Sequence, residues 1–314
     1  MILIIGHRDE HTQRVEAHLE TLGQRVIYWN TQSFPAEASL SLHLGDFSQS
    51  CLELHQERLF LSDIEGVYWY HYHGVRPGSR TTDPEADVSL LNLFRSWQTN
   101  WVNPPASVMR HRLKIYQLQQ VAQLGIRTPH TLVSNDIGSL QSFCEQMGGT
   151  IISKNYTGIG IPQKLTSASL ASNLQADSSQ RSMMPAIFQE YIQGLDIRIH
   201  AIGDALFATE LHTQDWTFVL DRQVELRATS VPDDLAEQCQ RIIQRLGLVF
   251  SGLDFRRTQT GEYVFIEANP SPQFGAYEAA CHYPISEHVA KRLCGKHPNY
   301  PTGPSRPGTE GHTA

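Results

Sequence analysis

Between residues 250 and 270 the chain reads FSGLDFRRTQTGEYVFIEANP, two strand-like runs on either side of Thr260-Gly261. Apolar and aromatic runs that bound a short Thr-Gly turn predict an antiparallel hairpin. Counted from a two-residue turn, residue 259 faces 262 and 258 faces 263, so Asp254 falls opposite Glu267. Cross-strand partners stand about 5 Å apart at Cβ. Glu267 and Asn269 are two apart and therefore share a face. Two carboxylates this close repel each other unless a cation lies between them. Ligands that are all oxygen suit Mg²⁺ or Mn²⁺ better than zinc. The alternative is a solvated hairpin carrying ordinary surface acids.

The chain ahead of this hairpin alternates strand and helix patterns. MILIIG opens with a continuous apolar run closed by Gly6, the pattern of a parallel strand buried on both faces. Residues 11–22 follow as a helix with Val15, Leu19 and Leu22 on one side, stopped by Gly23, and RVIYW is the next strand. A β-α-β start predicts a doubly wound layer. No glycine fingerprint follows the first strand, so dinucleotide binding is not supported. GVYWYHYHG is a third strand, and WVNPP ends this first domain at about residue 104. Residues 112–124 carry Leu113, Ile115, Leu118, Val121, Ala122 and Leu124 at helical spacing before Gly125. TPHTLVSND and TIISK read as strands around a helix, and KNYTGIGIPQK as a glycine-bearing loop. AIFQEYI, DIRIHAIG and ALFATEL are strands, the last two joined at Gly203-Asp204. Residues 233–246 form a helix, with Ser230 and Asp233 placed as a capping box. The Pro-, Gly- and Ser-rich tail at 296–314 is expected to be disordered.

Bulk properties narrow the function. With 314 residues, the chain is long enough for two or three domains. A net charge of −7 argues against an electrostatic grip on nucleic acid. Its five cysteines show no C-x-x-C spacing, so neither a disulfide framework nor a zinc site is expected. The first apolar run is too short for a signal peptide or a membrane span, which predicts a cytoplasmic protein with no membrane partner.

Four stretches in order carry a family resemblance: VYWYHYH with WVNPP, RLKIYQLQQVAQLGIRTPHTLVSND, FQEYIQGLDIRIHAIGDALFA, and GLDF with TGEYVFIEANPSPQF and YPISEHVAKRL. Together they resemble the ATP-grasp superfamily of carboxylate–amine ligases. The chain looks most like the peptide-modifying members that make microviridin-type graspetides. It is more distantly similar to the ribosomal-protein glutamate ligase and glutathione synthetase. The resemblance implies an α/β (α+β) ATP-grasp fold behind an N-terminal Rossmann-like pre-ATP-grasp domain. The domains are then expected at 1–104, 105–186 with the glycine loop, and 187–295 with the metal hairpin, ahead of the tail.

The same resemblance implies site roles. Asp254, Glu267 and Asn269 would hold the Mg²⁺ or Mn²⁺ of bound ATP. Lys114 and Lys154 would contact its phosphates, a task that suits a compact ammonium. Gly158 and Gly160 would let a loop close over them. FQEYI would be a hinge strand whose edge backbone, at Gln189, Glu190 and Ile192, meets the adenine. Asp196 would accept from the ribose hydroxyls, and Arg198 would stabilise charge on an acyl-phosphate and the tetrahedral intermediate. His200 continues that face and reads as a core histidine. Expected partners are a ribosomal precursor peptide or a small carboxylate or amine substrate, and homodimers are common among such relatives.

One departure stands out. Related peptide ligases carry D-W-R where this chain has Asp215, Trp216 and Thr217, with Arg222 and Arg227 as the candidates to replace the arginine. Three functions follow from the resemblance: a macrocyclase linking Asp or Glu side chains to Ser, Thr or Lys of a peptide; a ligase adding an amino acid to a small molecule or protein tail; and a catalytically silent nucleotide-binding protein.

Overall fold

The structure, a computed structural model, describes residues 1–72, 74–75, 84–111, 113–155, 161–170, 185–221 and 223–295. Gly158, Gly160, Arg222 and the tail at 296–314 lie outside the described residues. The described residues divide into two compact units, one drawn from 1–8, 16–102 and 290–295, the other from 9–15 and 103–289. Among the described residues no helix is long and apolar enough to cross a membrane.

In chain order the first part holds β1 (Ile2–Ile5), α1 (Glu10–Thr21), β2 (Val26–Trp29), β3 (Ala38–Ser41), β4 (Cys51–Leu54), β5 (Glu57–Phe60), β6 (Gly66–Trp69), α2 (Pro84–Ser96) and β7 (Asn100–Val102). Four of these strands form a sheet in the order β2-β1-β6-β7, with every pairing parallel. All four residues of β1 are buried, as a central parallel strand requires. Trp101 and Val102 of WVNPP belong to the fourth strand of this sheet. Phe94 of α2 stands edge-on to Trp29, Trp69 and Trp101, with ring centroids 5.4–5.8 Å apart. β3, β4 and β5 make a separate antiparallel meander.

The second part runs α3 (Pro105–His111), α4 (Lys114–Ala122), β8 (Thr131–Ser134), α5 (Ile137–Gln146), β9 (Thr150–Lys154), β10 (Gln163–Thr166), β11 (Ala186–Glu190), β12 (Gly194–Ile202), β13 (Ala205–His212), β14 (Glu225–Thr229), α6 (Asp233–Leu246), β15 (Phe250–Thr258), β16 (Tyr263–Asn269), α7 (Gly275–Cys281) and α8 (Ile285–Cys294). It contains a four-stranded sheet, β10-β9-β11-β8, and a five-stranded antiparallel sheet, β14-β13-β12-β15-β16. β11 lies between β9 and β8, so the domain boundary expected at residue 187 would cut through a sheet. Of the backbone expected at the adenine, Gln189 and Glu190 lie within this sheet and Ile192 lies beyond the end of β11. Gln189 is paired with Thr131 and Ile152, and the Glu190 N–H donates to the His130 carbonyl at 2.9 Å.

One face of the five-stranded sheet is apolar. Ile197, Ile199 and Ala201 of β12, Leu253 and Phe255 of β15, and Phe265 and Ala268 of β16 pack against α6 and Val121 of α4. Burying each large side chain stabilises this layer by roughly 1.5–3 kcal/mol. The residues between them, Asp196, Arg198 and His200 of β12 with Asp254 and Arg256 of β15, must face the other way. α6 ends at Gly247, in the left-handed region at φ +66°. Its N-cap is Pro232 with no side-chain cap, so the capping box expected from Ser230 and Asp233 does not form.

The hairpin differs from its simplest reading in two compensating ways. Thr258 donates to the Glu262 carbonyl and Gly261 to the Thr258 carbonyl, so three residues, 259–261, form the loop, with Gly261 at φ +86°. Pairing next to the loop therefore runs Arg257 to Tyr263, one residue away from the two-residue count. A bulge then absorbs Ile266 and restores Asp254 opposite Glu267.

Candidate functional site

The polar face of the five-stranded sheet carries a row of charges fixed by strand register: Glu267 on β16, Asp254 on β15 and Arg198 on β12, followed by Thr209 on β13. Arg198 grips Asp254 with both arms of its guanidinium, Nε on Oδ1 and Nη2 on Oδ2, the latter at 2.8 Å. At the end of the row Glu267 accepts from Lys114 Nζ at 2.8 Å. Lys114 is the first residue of α4, and the reason it meets Glu267 is one turn along. Gln117 Nε2 donates to the Ala268 carbonyl at 2.8 Å, and its Oε1 accepts from the Ala268 N–H at 3.0 Å. A side-chain amide thus completes the edge of β16 as a neighbouring strand would, and it docks α4 at that point.

The asparagine of WVNPP acts in the same way. Asn103 is fully buried. Its Nδ2 donates to the carbonyls of Phe250 and Pro270, both at 2.6 Å, and its Oδ1 accepts from the N–H groups of Val249 and Phe250 at 2.6 and 2.8 Å. It ties the start of β15 to the turn after β16. Neither Asn103 nor Gln117 was a sequence candidate. The one hint was an Asn or Gln within an otherwise apolar stretch.

Above this row lies a cavity of about 220 Å³ lined from both sheets of the second unit. Lys114, Lys154, Gln189, Glu190, Ile192, Asp196, Asp254 and Glu267 all border it. Arg198 and Asn269 do not. Arg198 reaches the cavity wall through Asp254, and Asn269 turns its Oδ1 back to accept from the Ser271 N–H at 3.0 Å. Glu190 is held by both its oxygens on Arg127 Nη2, each at 2.8 Å. Gln189 donates to Thr131 Oγ1 at 3.1 Å, while its buried Oε1 has no partner among the described residues. Asp196 is paired with Arg256. Trp216 and Thr217 line the wall, with Thr217 buried and its Oγ1 accepting from the Val219 N–H. Arg227 is exposed and paired with Glu225, away from the cavity lining.

Burial and charge set the protonation of these groups. Burial works against ionising Glu267, but Lys114 and Lys154 outweigh it and hold the carboxyl below its ordinary range. Burial lowers the Lys154 ammonium, an effect that Glu267 offsets only in part. Burial pushes Asp254 upward against the pull of Arg198, whose guanidinium stays firmly charged. His200, fully buried beside Arg198, is neutral.

The residues fit a nucleotide with its divalent ion. Among the described residues no three His, Cys, Asp or Glu side chains converge as a metal cluster. The oxygens on offer at the cavity are the carboxylates of Asp254 and Glu267, hard donors that suit Mg²⁺, while the Asn269 oxygen is engaged by the Ser271 N–H. Lys154, buried at the cavity wall, faces the same space as the unpartnered Gln189 acceptor. A phosphate would satisfy the first and a ring amino group the second.

Comparison with known proteins agrees in outline. Residues 1–108 match the model described as the MvdD pre-ATP grasp domain, and residues 111–293 match the RimK-like ATP-grasp domain. N-acetylaspartylglutamate synthase A of Mus musculus is 24% identical over 245 residues, which is 73% of this chain and 63% of that protein. The chain thus spans less than two thirds of that relative. A probable alpha-L-glutamate ligase of Sodalis glossinidius (strain morsitans) is 27% identical over 218 residues, 67% of this chain and 73% of the relative. Among solved structures, the macrocyclase MdnC of Microcystis aeruginosa MRC, bound with precursor peptide MdnA, superposes with a TM-score of 0.79 at 22% identity, covering 94% of this chain and 100% of the other. A RiPP-associated ATP-grasp ligase of Chryseobacterium gregarium, in complex with ADP and a leader and core peptide, gives a TM-score of 0.79 at 20% identity over 95% and 97% of the two chains.

Proposed function

Because the chain belongs to the RimK-like ATP-grasp family, we propose that it is an ATP-dependent ligase that activates a carboxylate as an acyl-phosphate and passes it to a hydroxyl or amine. The observation that carries this reading is the register row of Glu267, Asp254 and Arg198, whose two carboxylates border one cavity together with Lys114 and Lys154. A substrate carboxylate attacks the γ-phosphate of ATP, and ADP leaves. Lys114 and Lys154 bind the phosphates and offset their charge. Asp254, Glu267 and Asn269 would hold a Mg²⁺ ion, which supplies charge neutralisation on the phosphate oxygens when bound. Mn²⁺ would suit the same oxygens. Arg198, held flat by Asp254, orients that carboxylate and adds fixed positive charge near the reacting oxygens. The acceptor hydroxyl or amine then attacks the acyl carbon, giving an ester or amide and inorganic phosphate.

The substrate we propose is a ribosomal precursor peptide, crosslinked between its own side chains. The match of residues 1–108 to the MvdD pre-ATP grasp domain supports this, and so does the whole-chain likeness to a macrocyclase bound with its precursor peptide and to a RiPP-associated ATP-grasp ligase in complex with a leader and core peptide. The glutamate-ligase relatives favour the second reading, addition of an amino acid to a small molecule or protein tail. The five free cysteines accord with a reducing, cytoplasmic setting. Incubation with MgATP and candidate peptides, read by mass spectrometry, separates these readings. A crosslinked peptide loses one water per linkage, whereas a ligated product gains a residue. Nucleotide binding without ADP formation for any acceptor would overturn both and leave a silent binding protein.

A further inference from the structure

Arg256 is the fourth residue of the strand run LDFRR and carries no role in the reading above. In the fold it joins three separate segments. It is 8% exposed and lines the cavity. Its Nε donates to Asp196 Oδ1 at 2.8 Å and its Nη2 to Asp196 Oδ2 at 3.0 Å. Its Nη1 donates to the Ile192 carbonyl at 2.9 Å, and Nη2 donates again, to the Trp216 carbonyl at 2.6 Å. Four hydrogen bonds from one planar fork therefore fix the segment after β11, the first half of β12 and the wall at Trp216. The guanidinium also lies 5.9 Å from the centre of the Tyr191 ring, against which Trp216 packs edge-on.

We propose that Arg256 is a positioning residue that sets Asp196 for a ribose diol, so that discrimination for the sugar hydroxyls depends on it. The inference rests on the nucleotide reading of the cavity. The chemistry follows from counting. A carboxylate offers about four acceptor positions, and Arg256 takes two of them. The Phe218 N–H approaches Oδ2 at 3.5 Å. Acceptor capacity remains, and Asp196 borders the cavity. Arg256 and Asp196 are direct cross-strand partners, so the pair is set by sheet register rather than by a loop. A lysine offers three donors on a mobile stem and cannot reproduce the fork.

The test is titration calorimetry with ADP, 2′-deoxy-ADP and 3′-deoxy-ADP in Mg²⁺, using the full chain and its R256M, R256K and D196N variants. The unmodified protein should bind ADP at least about tenfold more tightly than one of the deoxy forms, the worth of a charge-assisted hydrogen bond. In R256M the ADP affinity should fall by about that factor, while the deoxy form changes little, so the ratio approaches one. R256K should also lose the ratio, and it carries the test if R256M does not fold. A purely structural role would weaken all three nucleotides together and leave the ratio intact. That outcome, in a folded variant, overturns the inference. If D196N removes the discrimination and R256M keeps it, the positioning role fails and the ribose assignment stands. If the unmodified protein shows no discrimination, or D196N preserves it, the ribose assignment itself fails.

Discussion

Replacing His200 with glutamine should flatten the acid side of the protein's stability curve. The imidazole is fully buried, its Nε2 donates to the Gln273 carbonyl at 3.2 Å, and its ring meets Tyr277 edge-on at 4.7 Å. Nδ1, the bare nitrogen, is buried without a partner among the described residues. Burial, and then the charge of Arg198, depress its pKa from 6.5 to about 3. In the folded state the ring therefore stays neutral at a pH where the unfolded chain has already taken up a proton. The stability it contributes is complete above about pH 6.5 and is lost as pH falls toward about 3. Linkage sets the loss between about pH 7.5 and about pH 5 at about 2 kcal/mol, with a ceiling of roughly 5 kcal/mol near pH 3. A glutamine keeps an N–H for the Gln273 carbonyl and does not titrate. Urea unfolding followed by circular dichroism at the two pH values should show H200Q less stable at neutral pH, by about 1 kcal/mol of lost packing, but about 2 kcal/mol less sensitive to acid. Equal acid sensitivity in both proteins would mean that His200 is not held neutral, and the account of this face would be wrong.

Three further outcomes are expected. D254A should destabilise the protein by about 3 kcal/mol, because it strands the buried Arg198 guanidinium; the R198M/D254A pair should regain most of that in denaturant unfolding yet remain inactive. Calorimetric titration with Mg²⁺ alone should give weak binding, since Lys114 already neutralises Glu267, and K114M should bind the free ion several-fold more tightly. N103A should lose about 3 kcal/mol, read as a drop in the unfolding midpoint, because four buried backbone groups lose their partner.

Much of the fold was legible because its pattern is strong. The continuous apolar ILII of β1, the helical spacing through Leu235, Cys239, Ile242, Ile243 and Leu246, and the Gly203-Asp204 turn all appear where their periodicity places them. The short meander β3–β5 was not legible, since four-residue strands that alternate leucine with Ser, Glu or Arg give no periodic signal above a loop. α2 hid in a stretch whose buried face is only Leu90, Leu93 and Phe94. At the site, Asp254 opposite Glu267 was reached through a two-residue turn that does not exist; the three-residue loop and the bulge at Ile266 cancel, and no sequence count distinguishes the two routes. The ion pairs Lys114–Glu267, Arg198–Asp254 and Arg256–Asp196 depend on which strands become neighbours, a non-local fact that spacing along the chain does not carry. Asn103 and Gln117 escaped for the same reason, because their partners are backbone groups about 150 residues away.

The most direct measurement is substrate-dependent ADP release, with MgATP and an acceptor that supports turnover, by the unmodified chain and by E267A and E267Q. Loss of ADP release in both variants, with the unfolding midpoint near that of the unmodified protein, is the predicted result. Undiminished release by a folded E267A would contradict the assignment of this carboxylate, and with it the site.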